Sequence, residues 1–153
     1  MQKEHTIHAR PLACLHRDPL LYGVLVASLL TGVLLHYGLP AGYSLPWRQG
    51  LWPPLALLLL YPLVEELLFR GLLQGELLRY GWARRRWSGV SLANGLTSIA
   101  FVLLHLVNQP PGWALAVLPP SLVLGFFRER YASVWPAIGL HGFFNAVWLL
   151  AGC

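Results

Sequence analysis

Charge is the first thing this sequence lacks. Of its 153 residues only 11% are Asp, Glu, Lys or Arg, where a soluble domain carries about 25%. Cysteine is limited to Cys14 and Cys153, which gives neither a disulfide framework nor a zinc-binding spacing. Pro11-Leu12-Ala13-Cys14 is no lipoprotein cleavage box, because polar residues precede it, and Cys153 as the last residue forms no prenylation box. There is no HExxH, no internal repeat and no low-complexity segment beyond leucine richness. No Ser-His-Asp or Cys-His arrangement occurs: Ser98 and Ser121 lie in or near apolar runs without a base at helical spacing, and neither cysteine lies inside a run. The net charge of +5 does not indicate a nucleic-acid partner, because the basic residues punctuate apolar runs instead of forming a patch.

What the chain has in abundance is apolar length. Hydrophobic residues make up 56% and the mean hydropathy is +0.55, the signature of a membrane protein. The pattern predicts an all-α, polytopic transmembrane helix bundle of about five spans, at roughly 20–39, 51–78, 89–107, 113–127 and 132–151. Residues 1–19 read as a polar cytoplasmic tail and 20–153 as the bundle; the first run is too long for a cleaved signal and reads as a retained span. The fourth run is short, or bent by Pro119-Pro120, and Arg128 to Tyr131 reads as a turn. Lys3, Arg10, Arg17, Arg79, Arg84, Arg85, Arg86, Arg128 and Arg130 fall on one side and only Arg48 on the other, 9 against 1. This places the N-terminus in the cytoplasm of a multi-pass inner-membrane protein. All seven Trp residues fall at or near span ends, where an amphipathic ring meets the headgroups.

A charged side chain at bilayer depth costs about 2.5–3.5 kcal/mol, so the charges inside the runs need a reason. Pro62-Leu63-Val64-Glu65-Glu66-Leu67-Leu68-Phe69-Arg70 holds three of them. Glu66 and Arg70, at i and i+4, share a helix face and can pair. Glu65 is turned by about 100° from Glu66 and still needs a partner. Phe101-x-x-x-His105 puts a ring and an imidazole on one face of the third span, and His141-x-x-x-Asn145 an imidazole and an amide on one face of the fifth. The bland reading of each is a packing or hydrogen-bonding residue, and of Glu66 and Arg70 a buried ion pair. Polar groups avoid lipid, so the set should turn inward and converge. A desolvated carboxylate beside an imidazole can take a proton from water, and a second imidazole with an amide can donate to an oxyanion. That is a hydrolytic site.

Glu-Glu-x-x-x-Arg, Phe-x-x-x-His and His-x-x-x-Asn, in this order in successive spans, resemble the CPBP family of type II CAAX prenyl protease and bacteriocin-processing proteins, also called Abi, over about residues 50–150. The resemblance implies an intramembrane glutamic endopeptidase acting on a membrane-associated protein or peptide, with the lipid bilayer as its surroundings and no cofactor. In it Glu65 and His105 would activate water, and His141 and Asn145 would hold the oxyanion. Glu66, Arg70 and Phe101 would support them. The short chain is similar in size to small family members linked to trimming of C-terminal sorting tails. Two alternatives stay open: zinc held by Glu65, His105 and His141, or a non-catalytic binding, immunity or proton-relay protein. Gly71-x-x-x-Gly75 reads as a helix-packing face, Arg84-Arg85-Arg86 as a topology anchor with an anionic-lipid contact, Asn94 as interhelical glue, and Gly125 and Gly139 as packing positions. One tension remains: His105 falls near the outer end of its span, whereas Glu65 lies about 21 Å along the second. Tilt, a kink at Pro62, or a second span starting outside the hydrocarbon would reconcile them.

Overall fold

The computed structural model of the chain describes residues 9–38 and 52–151; Trp47, Arg48 and the loop around them lie outside the described residues. Six helices are present among those described: α1 Pro19–Gly38, α2 over 52–77, α3 Leu92–His105, α4 Pro111–Ala116, α5 Leu118–Tyr131 and α6 Trp135–Ala151. One of them, α1, is both long and apolar enough to cross a membrane by length and composition. The all-α expectation holds except for a small hairpin, β1 Arg86–Trp87 paired antiparallel with β2 Val90–Ser91.

Local sequence accounts for where these elements begin and end. Ser88 and Gly89 form the two-residue loop of the hairpin with φ of 49° and 86°, the left-handed pair that such a turn demands. The third run therefore enters its helix at Leu92, not near residue 89. Ser91 caps α3 by accepting the Asn94 backbone N–H, satisfying one of the helix's orphan donors. The double proline at 119–120 does not bend a helix. It opens α5 at the first turn, where a missing N–H costs nothing, and the break falls at Val117 between α4 and α5. The segment Arg128 to Tyr131 is not a turn: α5 runs through it and closes at Ala132 in the left-handed region, φ 46°.

The helix α2 is continuous but changes register twice, with π-helical turns at Ala56–Leu60 and Leu67–Leu73. The first precedes Pro62. Tyr61 N–H bonds the Ala56 carbonyl, five residues back, so the Leu57 carbonyl looks toward residue 62, which as proline has no N–H. The side chain of Asn145 fills that vacancy, its Nδ2 donating to Leu57 O at 2.8 Å. Within the second turn, Arg128 Nε donates to Arg70 O at 3.0 Å. Both register shifts are thus held by side chains from neighbouring helices.

Small residues allow the helices to meet. Asn94 occupies the place where a Gly125 side chain would sit, and its Nδ2 donates to Leu122 O at 2.9 Å, which makes it interhelical glue as expected. Gly71 faces Val134 and Gly75 faces Arg128, so the Gly-x-x-x-Gly face is a helix contact. Gly139 differs from the expectation: nothing lies within 4 Å of its would-be Cβ. It lines an apolar groove of about 310 Å³ between α2 and α6, with Leu58, Gly142 and Ala146.

The described part of the N-terminal tail docks on the bundle. A 3-10 turn over Leu12–Arg17 leads to Asp18, fully buried. Asp18 accepts from Arg130 Nε at 2.5 Å and from Tyr131 Oη at 2.7 Å, and Arg10 N–H bonds Arg130 O at 2.8 Å. The Arg130 guanidinium holds the Asp18 carboxyl down at about 2.

Candidate active site

Phe101 is the centre about which the polar residues gather. Its ring stands 5.0 Å from that of Phe69, 4.4 Å from His105 and 5.8 Å from His141 between centroids, and the Arg70 guanidinium lies 4.8 Å above it. The aromatic one turn before His105 is therefore a wall shared by α2, α3 and α6. A cation over a ring face also gains electrostatic attraction.

Arg70 and Glu66 are both fully buried and pair at 3.2 Å, as their i, i+4 spacing requires. Arg70 Nη2 further donates to Ser121 Oγ at 2.6 Å and Ser121 O at 2.9 Å. Glu66 Oε1 accepts from His141 Nδ1 at 2.8 Å. A carboxylate only accepts, so this contact places a proton on Nδ1 and turns Nε2 away from Glu66. That nitrogen faces Glu65 Oε2 at 3.7 Å. His105 is held in the same way, its Nδ1 donating to Phe101 O at 2.9 Å and its Nε2 left available. Glu65, 27% exposed at its side chain, lies within electrostatic range of both imidazoles as well as of Glu66 and Arg70.

The structure thus brings together Glu65, Glu66, Arg70, Phe101, His105 and His141. Asn145 is one turn beyond His141 on α6, but its amide nitrogen is engaged with the Leu57 carbonyl, and a second N–H remains for another acceptor. Among the described residues no three His, Cys, Asp or Glu side chains gather as a set that would hold a metal ion. The axial mismatch between His105 and Glu65 disappears because α3 has only 14 residues. It rises about 20 Å and stops at His105, level with the middle of the longer α2.

Sequence spacing did not reveal three supporting residues. Ser121 carries two of Arg70's hydrogen bonds, and Arg128 holds the Arg70 carbonyl. Glu129 accepts from Gln74 at 2.8 Å, from Ser91 and from Arg86, tying the hairpin and α2 to α5. Their only signal was polarity beside an apolar run, and their partners lie about 38 to 58 residues away in sequence, beyond any periodicity.

A family model described as type II CAAX prenyl endopeptidase Rce1-like matches residues 46–147. No curated protein and no solved structure matches the chain.

Proposed function

The chain belongs to the type II CAAX prenyl endopeptidase Rce1-like family, a family of membrane proteases, and on that premise we propose that it hydrolyses a peptide bond in a membrane-associated protein by a glutamic mechanism. Glu65 is the general base. It is the one carboxylate of the cluster that is partly open, while Glu66 is consumed by Arg70 and His141. His105, its Nδ1 engaged by the Phe101 carbonyl and its Nε2 free, shares the water and its proton with Glu65. The attacking oxygen adds to the carbonyl carbon, and the proton passes to the departing amine nitrogen.

His141 and the free N–H of Asn145 stabilise the tetrahedral oxyanion. For that role His141 Nε2 must carry a proton, and the resulting imidazolium is flanked by Glu66 on one side and Glu65 on the other. The substrate reaches the site along the groove lined by Gly139 and Ala146 on α6, where open space beside Gly139 admits an extended backbone. The bundle crosses the bilayer about five times with its N-terminus in the cytoplasm, and the substrate is a C-terminal sorting tail.

The observation that carries this reading is the gathering around Phe101 of two imidazoles and the closed ion pair's arginine from three helices, with the partly open Glu65 carboxylate 3.7 Å from His141. The test is purified protein in detergent with a single-span peptide ending in a basic tail. His105→Ala is expected to lower kcat by about two orders of magnitude or more, with KM little changed, and activity is expected to survive exhaustive chelation. Loss of activity on chelation, restored by zinc, would instead favour the metal-dependent hydrolase.

A further inference from the structure

A second apolar groove, lined by none of the residues of the acidic cluster, lies between the first two turns of α1 and the middle of α5. It measures about 420 Å³ and is lined by Leu20, Gly23, Val24, Leu122, Val123 and Phe126, with the Ser88–Gly89 turn closing one end. A side chain added at Gly23 would meet nothing within 4 Å among the described residues, so they leave the space open.

Size and charge decide what fits. From Leu20 to Ala27 the groove follows α1 for about 10 Å. Its lining along both helices is apolar throughout, and over that length it accommodates an extended hydrocarbon chain. The rim at the hairpin end is basic. Asp18 is shared by Arg130 and by Arg10, the latter at 3.8 Å, so two guanidinium groups meet one carboxylate. Arg130 sits 5.7 Å from the ring of Phe126, directly at the groove lining. Arg17 and Arg85 are exposed, and among the described residues neither side chain has a hydrogen-bond or ion-pair partner. Glu129 is already engaged by Arg86, Ser91 and Gln74, so it does not cancel this excess.

We infer that this groove is a binding site for an anionic glycerophospholipid, with one acyl chain lying between α1 and α5 and the headgroup phosphate held by Arg10, Arg17 and Arg85. The site is independent of the proteolytic reading. Its physical role is to complete the packing between α1, which is fully buried only at Gly32, and α5, whose Leu122, Val123 and Phe126 are half-buried along this stretch.

The test is native mass spectrometry of the full chain in detergent, titrated with phosphatidylglycerol or with phosphatidylcholine of the same chains. Wild type is expected to retain one phosphatidylglycerol in preference to phosphatidylcholine. Gly23→Leu fills the groove and is expected to abolish retention, while Gly38→Leu, which also meets open space but outside the groove, leaves it unchanged. Replacing Arg10, Arg17 and Arg85 by Gln weakens binding by about fivefold per residue without touching the groove lining, so a folding defect in Gly23→Leu does not decide the matter. Equal retention of the two lipids would overturn the site, as would full retention by Gly23→Leu. So would a homodimer cross-linked through Gly23→Cys, or a lipidated peptide that outcompetes phosphatidylglycerol.

Discussion

Two parts of this bundle are both rich in leucine and yet pack differently. The helix α1 is buried at Gly32 alone, where Val147 presses against it, and it presents Leu30, Val33 and Leu34 outward. The helices α2, α3, α5 and α6 instead interlock around Glu66, Arg70, Gln74, Asn94, Thr97, Ser98, Ser121 and His141, all buried. Lipid tails are as apolar as leucine, so a hydrophobic side chain in a bilayer gains little by turning inward. Polar groups gain a great deal, because lipid offers them no partner. The faces that pack are therefore chosen by the polar residues, and α1, which contributes almost none, stays peripheral.

The sharpest way to break this contrast is at the ion pair. Arg70→Met leaves the Glu66 charge and both Ser121 acceptors without their donor, and should cost about 3–5 kcal/mol, seen as a large fall in the thermal midpoint in detergent. The double variant Glu66→Gln/Arg70→Met should recover part of that loss, since no unpaired charge remains. Next in size is Gly125→Ala. Its new Cβ would overlap the Asn94 amide, with an expected cost of about 1–3 kcal/mol read by denaturation. Asn145→Leu deprives the Leu57 carbonyl of its donor, and burying that group unpaired should cost about 1–3 kcal/mol. By comparison Leu34→Ala on the outer face of α1, 73% exposed, should stay within about 0.5 kcal/mol.

The docked N-terminal segment sharpens the comparison by pH. The Asp18 carboxyl is held at about 2 against an ordinary 3.8, because its ionised form is bound by Arg130. Its stabilisation is therefore complete above about pH 4 and is lost as the pH falls through about 2. Hydrogen exchange of residues 10–18 should stay protected down to that range and open below it. Asp18→Asn should leave the segment exchanging rapidly at every pH.

How much of this was legible in the sequence follows the same physics. Helix periodicity is local, so the Glu66–Arg70 pair, the stacking of Phe101 on His105 and the inward face shared by His141 and Asn145 could be read from spacing alone. The packing role of Gly71 and Gly75 was equally visible. The register shifts in α2 were not, because a π turn is decided by which neighbouring side chain takes the orphaned carbonyl, and Asn145 and Arg128 are distant in sequence. For the same reason the partners of Ser121 and Glu129 were hidden, and residues 10–18 read as a tail although Asp18 had a buried partner waiting on α5. The Ser88–Gly89 turn carried a usable signal, but the apolar run behind it drew the span boundary too early. Gly139 was read as a packing position from its size alone, when that same smallness opens a groove.

The central claim is that one carboxylate in the cluster is free to act while its neighbour is spent on structure, and Glu65→Gln tests it most directly. The measurement is single-turnover cleavage of a single-span peptide by the purified variant, with the thermal midpoint recorded alongside. Cleavage is expected to fall by at least about three orders of magnitude with an unchanged midpoint, because among the described residues Glu65 makes no buried hydrogen bond that its amide would break. Cleavage at the wild-type rate by a folded Glu65→Gln protein would contradict it.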